Sequence, residues 1–177
     1  MPELLLIAGS LRASSVNRKL AAEAGRLFDG TASFGSIDLP LYNGDIEDRE
    51  GIPASVRTLF DQIDAADAVV IATPEYNQSF PGVLKNALDW VSRVKGNPWL
   101  DKPVALVSAT AGRSGGARAQ FALRLAMVQF QPRLLNGPEV MVAGAVKEFD
   151  EDDQLTNDRY LKSLTTLMEK LGREIVR

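Results

Sequence analysis

The 177-residue chain contains no cysteine and no histidine, and these two absences exclude much of the chemistry that proteins perform with their own side chains. Ser–His–Asp and Cys–His catalytic centres cannot form. Zinc sites built on thiolate or imidazole are excluded, as are thiol redox couples. What remains is the chemistry of carboxylates, hydroxyls, lysine, tyrosine, backbone groups, a hard metal ion or a bound cofactor. Of these, a bound cofactor is the most capable of redox chemistry.

The chain also lacks an excess of positive charge and any long apolar run. Its formal net charge is -3, which does not favour a nucleic-acid partner. No apolar stretch reaches the roughly 18 residues that a membrane span needs, and the N-terminus lacks the basic segment of a signal peptide. We therefore expect no nucleic-acid partner and no membrane partner. We predict a cytoplasmic location, with which the absence of cysteine is compatible.

Short apolar runs alternate with amphipathic segments along the whole chain. Five βα units of this kind predict an α/β fold, a three-layer sandwich in which helices cover both faces of a five-stranded parallel sheet. The natural order for five such strands is 2-1-3-4-5, which is flavodoxin-like. No linker or internal repeat interrupts residues 1–177, so they are predicted to form a single domain. The predicted strands are residues 3–8, 31–37, 67–73, 104–109 and 139–143.

Four segments between or after the strands carry further predictions. Residues 38–51 contain proline, asparagine and glycine and are predicted as a loop. A helix is predicted over residues 117–130. Residues 147–158 hold six acidic residues and one lysine, which predicts a solvated connector. The final helix is predicted over residues 158–175.

The first predicted strand leads into a polar segment, residues 9–17, here called loop 1. Ser10, Arg12 and Asn17 offer hydroxyl, guanidinium and amide donors at the start of a helix, where backbone N–H groups and the helix dipole favour an anion. Capping of the helix by Ser14, Ser15 or Asn17 is the simpler alternative. One cap needs only one such side chain, so phosphate binding is the favoured interpretation. No Walker lysine follows, which disfavours a nucleoside triphosphate.

The third predicted strand leads into loop 2, residues 74–82. Tyr76 is suited to covering an aromatic ring, and Asn77 to reading hydrogen-bonding edges and to adopting a left-handed turn conformation. The alternative is a proline-flanked turn in which Ser79 caps the next helix. Loops 1 and 2 follow strands 1 and 3, which flank the switch point of a 2-1-3-4-5 sheet, where cofactors of such folds bind.

The fourth predicted strand is followed by loop 3, residues 110–116, which contains three glycines. Glycines at Gly112, Gly115 and Gly116 permit close approach of the backbone to a ligand. A flexible turn explains the same composition equally well, so both interpretations stay open for this loop.

Three stretches together resemble the NAD(P)H-dependent FMN reductase family, and within it the quinone and chromate reductase branch. They are Gly9–Asn17, Pro74–Trp90 and Gly115–Gln120. The resemblance spans residues 4 to about 145 and implies one flavodoxin-like FMN-binding domain. The activity that it implies is hydride transfer from NADPH or NADH, through FMN, to a small-molecule electron acceptor. Quinones and free flavin are the implied acceptors, with chromate as a further candidate.

The resemblance also assigns residues to the cofactor. It implies no metal ion and no catalytic side chain, since the chemistry belongs to FMN. The residues that match the family's phosphate loop are Ser10, Arg12, Ser15, Val16 and Asn17. The residues that match its isoalloxazine loop are Pro74, Glu75, Tyr76 and Asn77, and those placed where a third loop touches the flavin are Ser108 and Thr110.

Assembly as a homodimer or homotetramer is a further implication of the resemblance. Trp90 and Trp99 are interpreted as core or interface residues, and as aromatic residues they would suit an interface beside the flavin ring. Two alternatives to an enzyme stay open: a flavodoxin-type electron carrier that binds FMN without substrate turnover, and a structural or regulatory domain that binds no flavin. Arg12 in loop 1 and the modest net charge favour the enzyme over the carrier.

Overall fold

The computed structural model describes residues 1–175. No helix in that part of the chain is both long enough and apolar enough to cross a membrane. The elements, in chain order, are β1 (Glu3–Ala8), α1 (Val16–Leu27), β2 (Thr31–Gly35), α2 (Gly44–Glu50), α3 (Ala54–Ala65), β3 (Ala68–Thr73), α4 (Gly82–Val91), β4 (Pro103–Ala109), α5 (Ala117–Met127), β5 (Arg133–Leu134), β6 (Val140–Val142) and α6 (Asp158–Ile175).

The strands form one parallel sheet in the order β2-β1-β3-β4-β5, with β6 also paired to β4. The predicted order 2-1-3-4-5 is thus confirmed. Strands β3 and β4 are buried along their whole length, and β1 everywhere except at Glu3. Helices cover both of their faces, which is why these strands read as unbroken apolar runs. Strand β2 lies at the edge and is largely exposed, which explains its polar sequence.

Two large clusters of apolar side chains cover the two faces of the sheet, and a third, small cluster contains Trp90. Leu4 and Leu6 of β1 point into a cluster with α1 and α6. Leu5 and Ile7, one residue out of phase, point into a cluster with α3, α4 and α5. This alternation follows from the two-residue period of a strand. The predicted three-layer sandwich is therefore confirmed.

The fifth position of the sheet differs from the prediction of one strand at residues 139–143. Two short strands share it, since Arg133 of β5 pairs with the start of β4 and Val140 of β6 pairs with its end. Pro138 lies between them and has no N–H to donate to a ladder, so the strand is interrupted there. The predicted segment captured only the second piece.

The predicted loop over residues 38–51 contains a helix, α2. Asn43 caps it by accepting a hydrogen bond from the N–H of Asp45, and acidic residues in the first turn suit the helix dipole. None of its residues is buried, so the sequence lacks the apolar periodicity that reveals a helix. Glu47 of α2 accepts hydrogen bonds from Arg93, which lower the pKa of Glu47 below its ordinary value.

Helix α5 ends at Met127, and the last three residues of the predicted helix over 117–130 form a short 3-10 turn.

Both tryptophans lie in the core of this chain. Trp90 and Trp99 are each 1% exposed, and the indole N–H of Trp90 donates to the carbonyl of Pro40 at 2.7 Å. Neither side chain has surface to offer a second subunit, so the prediction that they form an interface is wrong.

Candidate cofactor-binding site

The carboxyl ends of β1, β3 and β4 open into a cleft of about 610 Å³, whose walls are loops 1, 2 and 3. This is the switch point of the sheet, where open α/β folds bind ligands. A second cleft of about 610 Å³ lies beside β5, at the other end of β4 and away from all three loops. Nine of the eleven predicted cofactor residues line the first cleft: Ser10, Arg12, Ser15, Val16, Asn17, Pro74, Glu75, Tyr76 and Thr110.

Loop 1 combines a helix cap with free donors. Ser15 caps α1, and its Oγ accepts the N–H of Asn17 at 3.2 Å. The capping alternative is thus real for Ser15, but it uses only that one side chain. The Arg12 side chain is exposed and has no ion-pair partner within residues 1–175. An unpaired guanidinium beside a helix N-terminus makes this end of the cleft suited to a phosphate.

Both polar atoms of the Asn17 side chain form hydrogen bonds within the protein. Its Nδ2 donates to the carbonyl of Ala109 at 2.8 Å, and its Oδ1 accepts the N–H of the same residue at 2.9 Å. The side chain is 1% exposed. Asn17 therefore ties the start of α1 to the end of β4 and fixes the distance between loop 1 and loop 3.

Loop 2 forms a tight hairpin that projects from the sheet. Tyr76 and Ser79 exchange both backbone hydrogen bonds, at 2.9 and 3.1 Å. Between them, Asn77 and Gln78 have φ values of 49° and 67°, so both are left-handed, as in a type I′ turn. The left-handed conformation predicted for Asn77 is confirmed. Asn77 itself lies outside the cleft lining, whereas Tyr76 is half exposed at its wall.

Glu75 links loop 2 to α5. Its Oε2 accepts the N–H groups of Arg118 and Ala119 at 3.1 and 3.4 Å. The N-cap residue of α5 is Gly116, which has no side chain to do this, so the carboxylate of Glu75 serves as the cap. Since cap and helix lie more than 40 residues apart, no local sequence pattern reveals this contact.

The two left-handed glycines of loop 3 allow it to pack closely against the sheet. Gly115 and Gly116 have φ values of 59° and 92°, and a Cβ at Gly116 would lie 2.7 Å from the Cβ of Ser108. Ser108 is fully buried; its Oγ donates to the carbonyl of Gly115 at 2.5 Å and accepts from Gln120 at 2.9 Å. Ser108 thus lies behind the loop, outside the cleft lining. The glycines bring the backbone close to β4 and β6, and Thr110 is the predicted residue that reaches the cleft.

Lys19 also lines the cleft, and the sequence analysis missed it. It lies four residues after the cap Ser15. Because side chains on a helix lean toward its N-terminus, the Lys19 side chain covers the first turn of α1. Its ammonium forms an ion pair with Asp153. The helical spacing from Ser15 was a signal that could have identified it.

Comparisons with known proteins establish the family. Residues 2–147 match the family model of the NADPH-dependent FMN reductases. The chain belongs to this family. It is 44% identical to an NAD(P)H-dependent FMN reductase of Pseudomonas aeruginosa over 160 residues, 89% of this chain and 86% of the relative. It is 37% identical to a quinone reductase of Escherichia coli K12 over 180 residues, covering 97% and 96%.

A solved structure agrees with the family assignment. FerB of Paracoccus denitrificans, described as a flavoenzyme NAD(P)H:(acceptor) oxidoreductase, matches this fold with a TM-score of 0.89 at 33% identity. The match covers 99% of this chain and 98% of FerB.

The cleft of this FMN reductase family member fits the cofactor. A monophosphate needs hydrogen-bond donors and positive charge, which loop 1 supplies through Arg12 and the N-terminus of α1. A flat aromatic ring needs apolar walls, which Tyr76 and Val146 offer at the cleft. The volume of the cleft lies within the range of about 300–1,000 Å³ that is usual for small-molecule sites.

Proposed function

We propose that this chain is an FMN-dependent oxidoreductase that moves a hydride from NADPH or NADH to quinones, free flavin or similar small acceptors. The observation that carries the proposal is the three-loop cleft, which has an unpaired arginine and a helix N-terminus at one end and an exposed tyrosine on its wall. The names of the relatives, FMN reductase and quinone reductase, support the same activity. Chromate remains a candidate acceptor that rests on the sequence resemblance alone.

In this proposal, loop 1 holds the phosphate of FMN. Arg12 supplies the charge-assisted hydrogen bond, and Ser10, Ser15, Val16 and Asn17 shape the loop around it. Asn17 contributes by holding the loop in place through Ala109, rather than through a free amide.

Loop 2 and loop 3 hold the isoalloxazine ring in this proposal. Pro74, Glu75, Tyr76 and Asn77 belong to loop 2, and Glu75 fixes the loop to α5. Thr110 contacts the ring from loop 3, and Ser108 supports that loop from behind. FMN supplies the hydride-accepting ring when it is bound, and the protein supplies orientation and exclusion of water. No side chain is proposed as an acid, base or nucleophile.

We further propose that residues 1–177 act as one cytoplasmic domain that assembles into a homodimer or homotetramer. Helix α5 and the 3-10 turn after it offer the surface: Phe121, Leu125 and Val128 follow one another at i, i+4 and i+7 and are 59%, 76% and 67% exposed. A contiguous exposed apolar stripe of this kind marks an interaction surface, and it replaces the tryptophans as the expected interface. Light scattering should give a mass of two or four times 19.2 kDa; a mass near that of the monomer would refute the assembly.

The proposed activity is tested with the purified protein alone. Its visible spectrum should be that of a flavin, and the chromophore released by heat should chromatograph as FMN. With a quinone as acceptor, it should oxidise NADPH or NADH at a steady rate without a second protein. Bound FMN without turnover would instead favour the electron carrier, and colourless protein that takes up no flavin would favour the non-binding domain.

A further inference from the structure

The cofactor cleft contains a second cationic side chain, Lys19, whose charge is balanced by a carboxylate of the protein. Lys19 lines the cleft together with Arg12. Arg12 is exposed and unpaired within the described residues, whereas Lys19 forms an ion pair with Asp153. Two cations of one cleft wall therefore differ in the charge that they present to a ligand.

Lys19 lies near the start of α1, at the end of the cleft assigned to the phosphate. Its backbone N–H donates to the carbonyl of the cap residue Ser15, which puts it one turn into the helix. Side chains on a helix lean toward its N-terminus, so the Lys19 side chain covers the first turn. The side chain is 28% exposed, and part of that surface faces the cleft.

Asp153 is held at its position by the fold of the acidic connector. Asp150 accepts the N–H groups of Asp152 and Gln154 through its Oδ1, at 3.0 and 2.9 Å. Its carbonyl accepts the N–H of Asp153 at 3.1 Å. Asp153 has a φ of 62° at the turn of this segment. The carboxylate thus belongs to an ordered turn that reaches back to α1.

We propose that Asp153 competes with the cofactor phosphate for Lys19, so that the acidic connector limits the affinity of this chain for FMN. This inference rests on the proposed placement of the phosphate on loop 1. A phosphate monoester is close to a dianion at neutral pH. A lysine ammonium is a compact, mobile charge that can turn from a carboxylate to a phosphate. Asp153 opposes binding because it holds the ammonium that the phosphate would otherwise attract.

The proposal predicts opposite effects for the two members of the pair. Asp153→Asn should tighten FMN binding by about twofold to fivefold, and Lys19→Met should weaken it by a factor in the same range, which is the range expected for partly exposed charges. Neither change should alter binding of riboflavin, which lacks the phosphate. Asp152→Asn is the matched control, since it removes the same charge from the same turn without touching Lys19.

Flavin-fluorescence quenching with the full-length chain, freed of flavin beforehand, measures all these affinities. Combining Lys19→Met with Asp153→Asn should give the affinity of Lys19→Met alone, apart from the small general charge effect that Asp152→Asn reports. Raising the salt concentration should reduce the differences, since exposed charges are screened. Circular dichroism of each variant shows whether the fold is kept.

Three results would overturn the proposal. Asp153→Asn and Asp152→Asn could tighten FMN equally, which would leave only a net-charge effect. Lys19→Met could change FMN and riboflavin by the same factor, which would make the ion pair purely structural. After either of these two results, the proposed placement of the phosphate on loop 1 would still stand if the unmodified protein binds FMN more tightly than riboflavin. A parent protein that binds both ligands equally would refute that placement, and this inference with it.

Discussion

Loop 1 and the residues behind loop 3 both carry polar side chains, yet these side chains are used in opposite ways. Arg12 of loop 1 is exposed and has no ion-pair partner in residues 1–175. Behind loop 3, Ser108 and Gln120 bond to each other and to the backbone, fully buried. Composition alone does not separate a loop that can bind a ligand from a loop that supports one. The difference lies in whether the donors already have partners.

The largest effect is expected where loop 3 packs most tightly. Gly116→Ala places a Cβ 2.7 Å from Ser108 at a φ of 92°. It should lower the free energy of unfolding by about 2–4 kcal/mol, because it adds a clash with a buried strand to an unfavourable backbone conformation. Denaturant titration measures the loss.

Gly112→Ala is the control for Gly116→Ala in the same loop. Apart from its two chain neighbours, the nearest atom to its Cβ would be the Oγ1 of Thr110 at 3.9 Å, so stability should change by no more than about 0.5 kcal/mol. Equal losses for the two substitutions would contradict the view that loop 3 is held by close packing at Gly116.

Asn17 tests the comparison between loop 1 and the residues behind loop 3. It belongs to loop 1, but its side chain is buried and hydrogen-bonded to the backbone, like those of Ser108 and Gln120. Asn17→Leu leaves the N–H and the carbonyl of Ala109 without their side-chain partners. It should cost about 1–3 kcal/mol of stability, and it should weaken FMN more than riboflavin, because it loosens the loop proposed to hold the phosphate. Thermal unfolding and paired titrations check this. Unchanged stability would contradict the view that this amide ties loop 1 to the end of β4.

The features that the sequence predicted well are those with a local signal. Apolar runs located β1, β3 and β4, because a strand buried on both faces must be continuously apolar. The alternation of these runs with helices predicted the order of the strands in the sheet. The polar loops after β1 and β3 were visible as breaks in that pattern. Their meeting at one cleft follows from the topology, which puts the carboxyl ends of parallel strands at one edge.

The features that the sequence did not predict depend on distant contacts or have no apolar period. Helix α2 buries none of its residues, so nothing in its spacing distinguishes it from a loop. Glu75 caps a helix more than 40 residues away, and Lys19 meets Asp153 across most of the chain. Trp90 was assigned to an interface because aromatic residues suit one, but burial is decided by the packing of the whole fold.

The central claim is that loop 1 is the phosphate end of an FMN site, and titration of Arg12→Ala with FMN and with riboflavin tests it most directly. A charge-assisted hydrogen bond is worth about 1.5–3 kcal/mol, so FMN should bind roughly tenfold to a hundredfold more weakly. Riboflavin should bind the variant and the parent almost equally, and turnover per bound flavin should stay near normal with excess FMN. Arg113→Ala, an exposed arginine of loop 3 outside the cleft lining, should leave both affinities unchanged. Equal losses for FMN and riboflavin in Arg12→Ala would contradict the account.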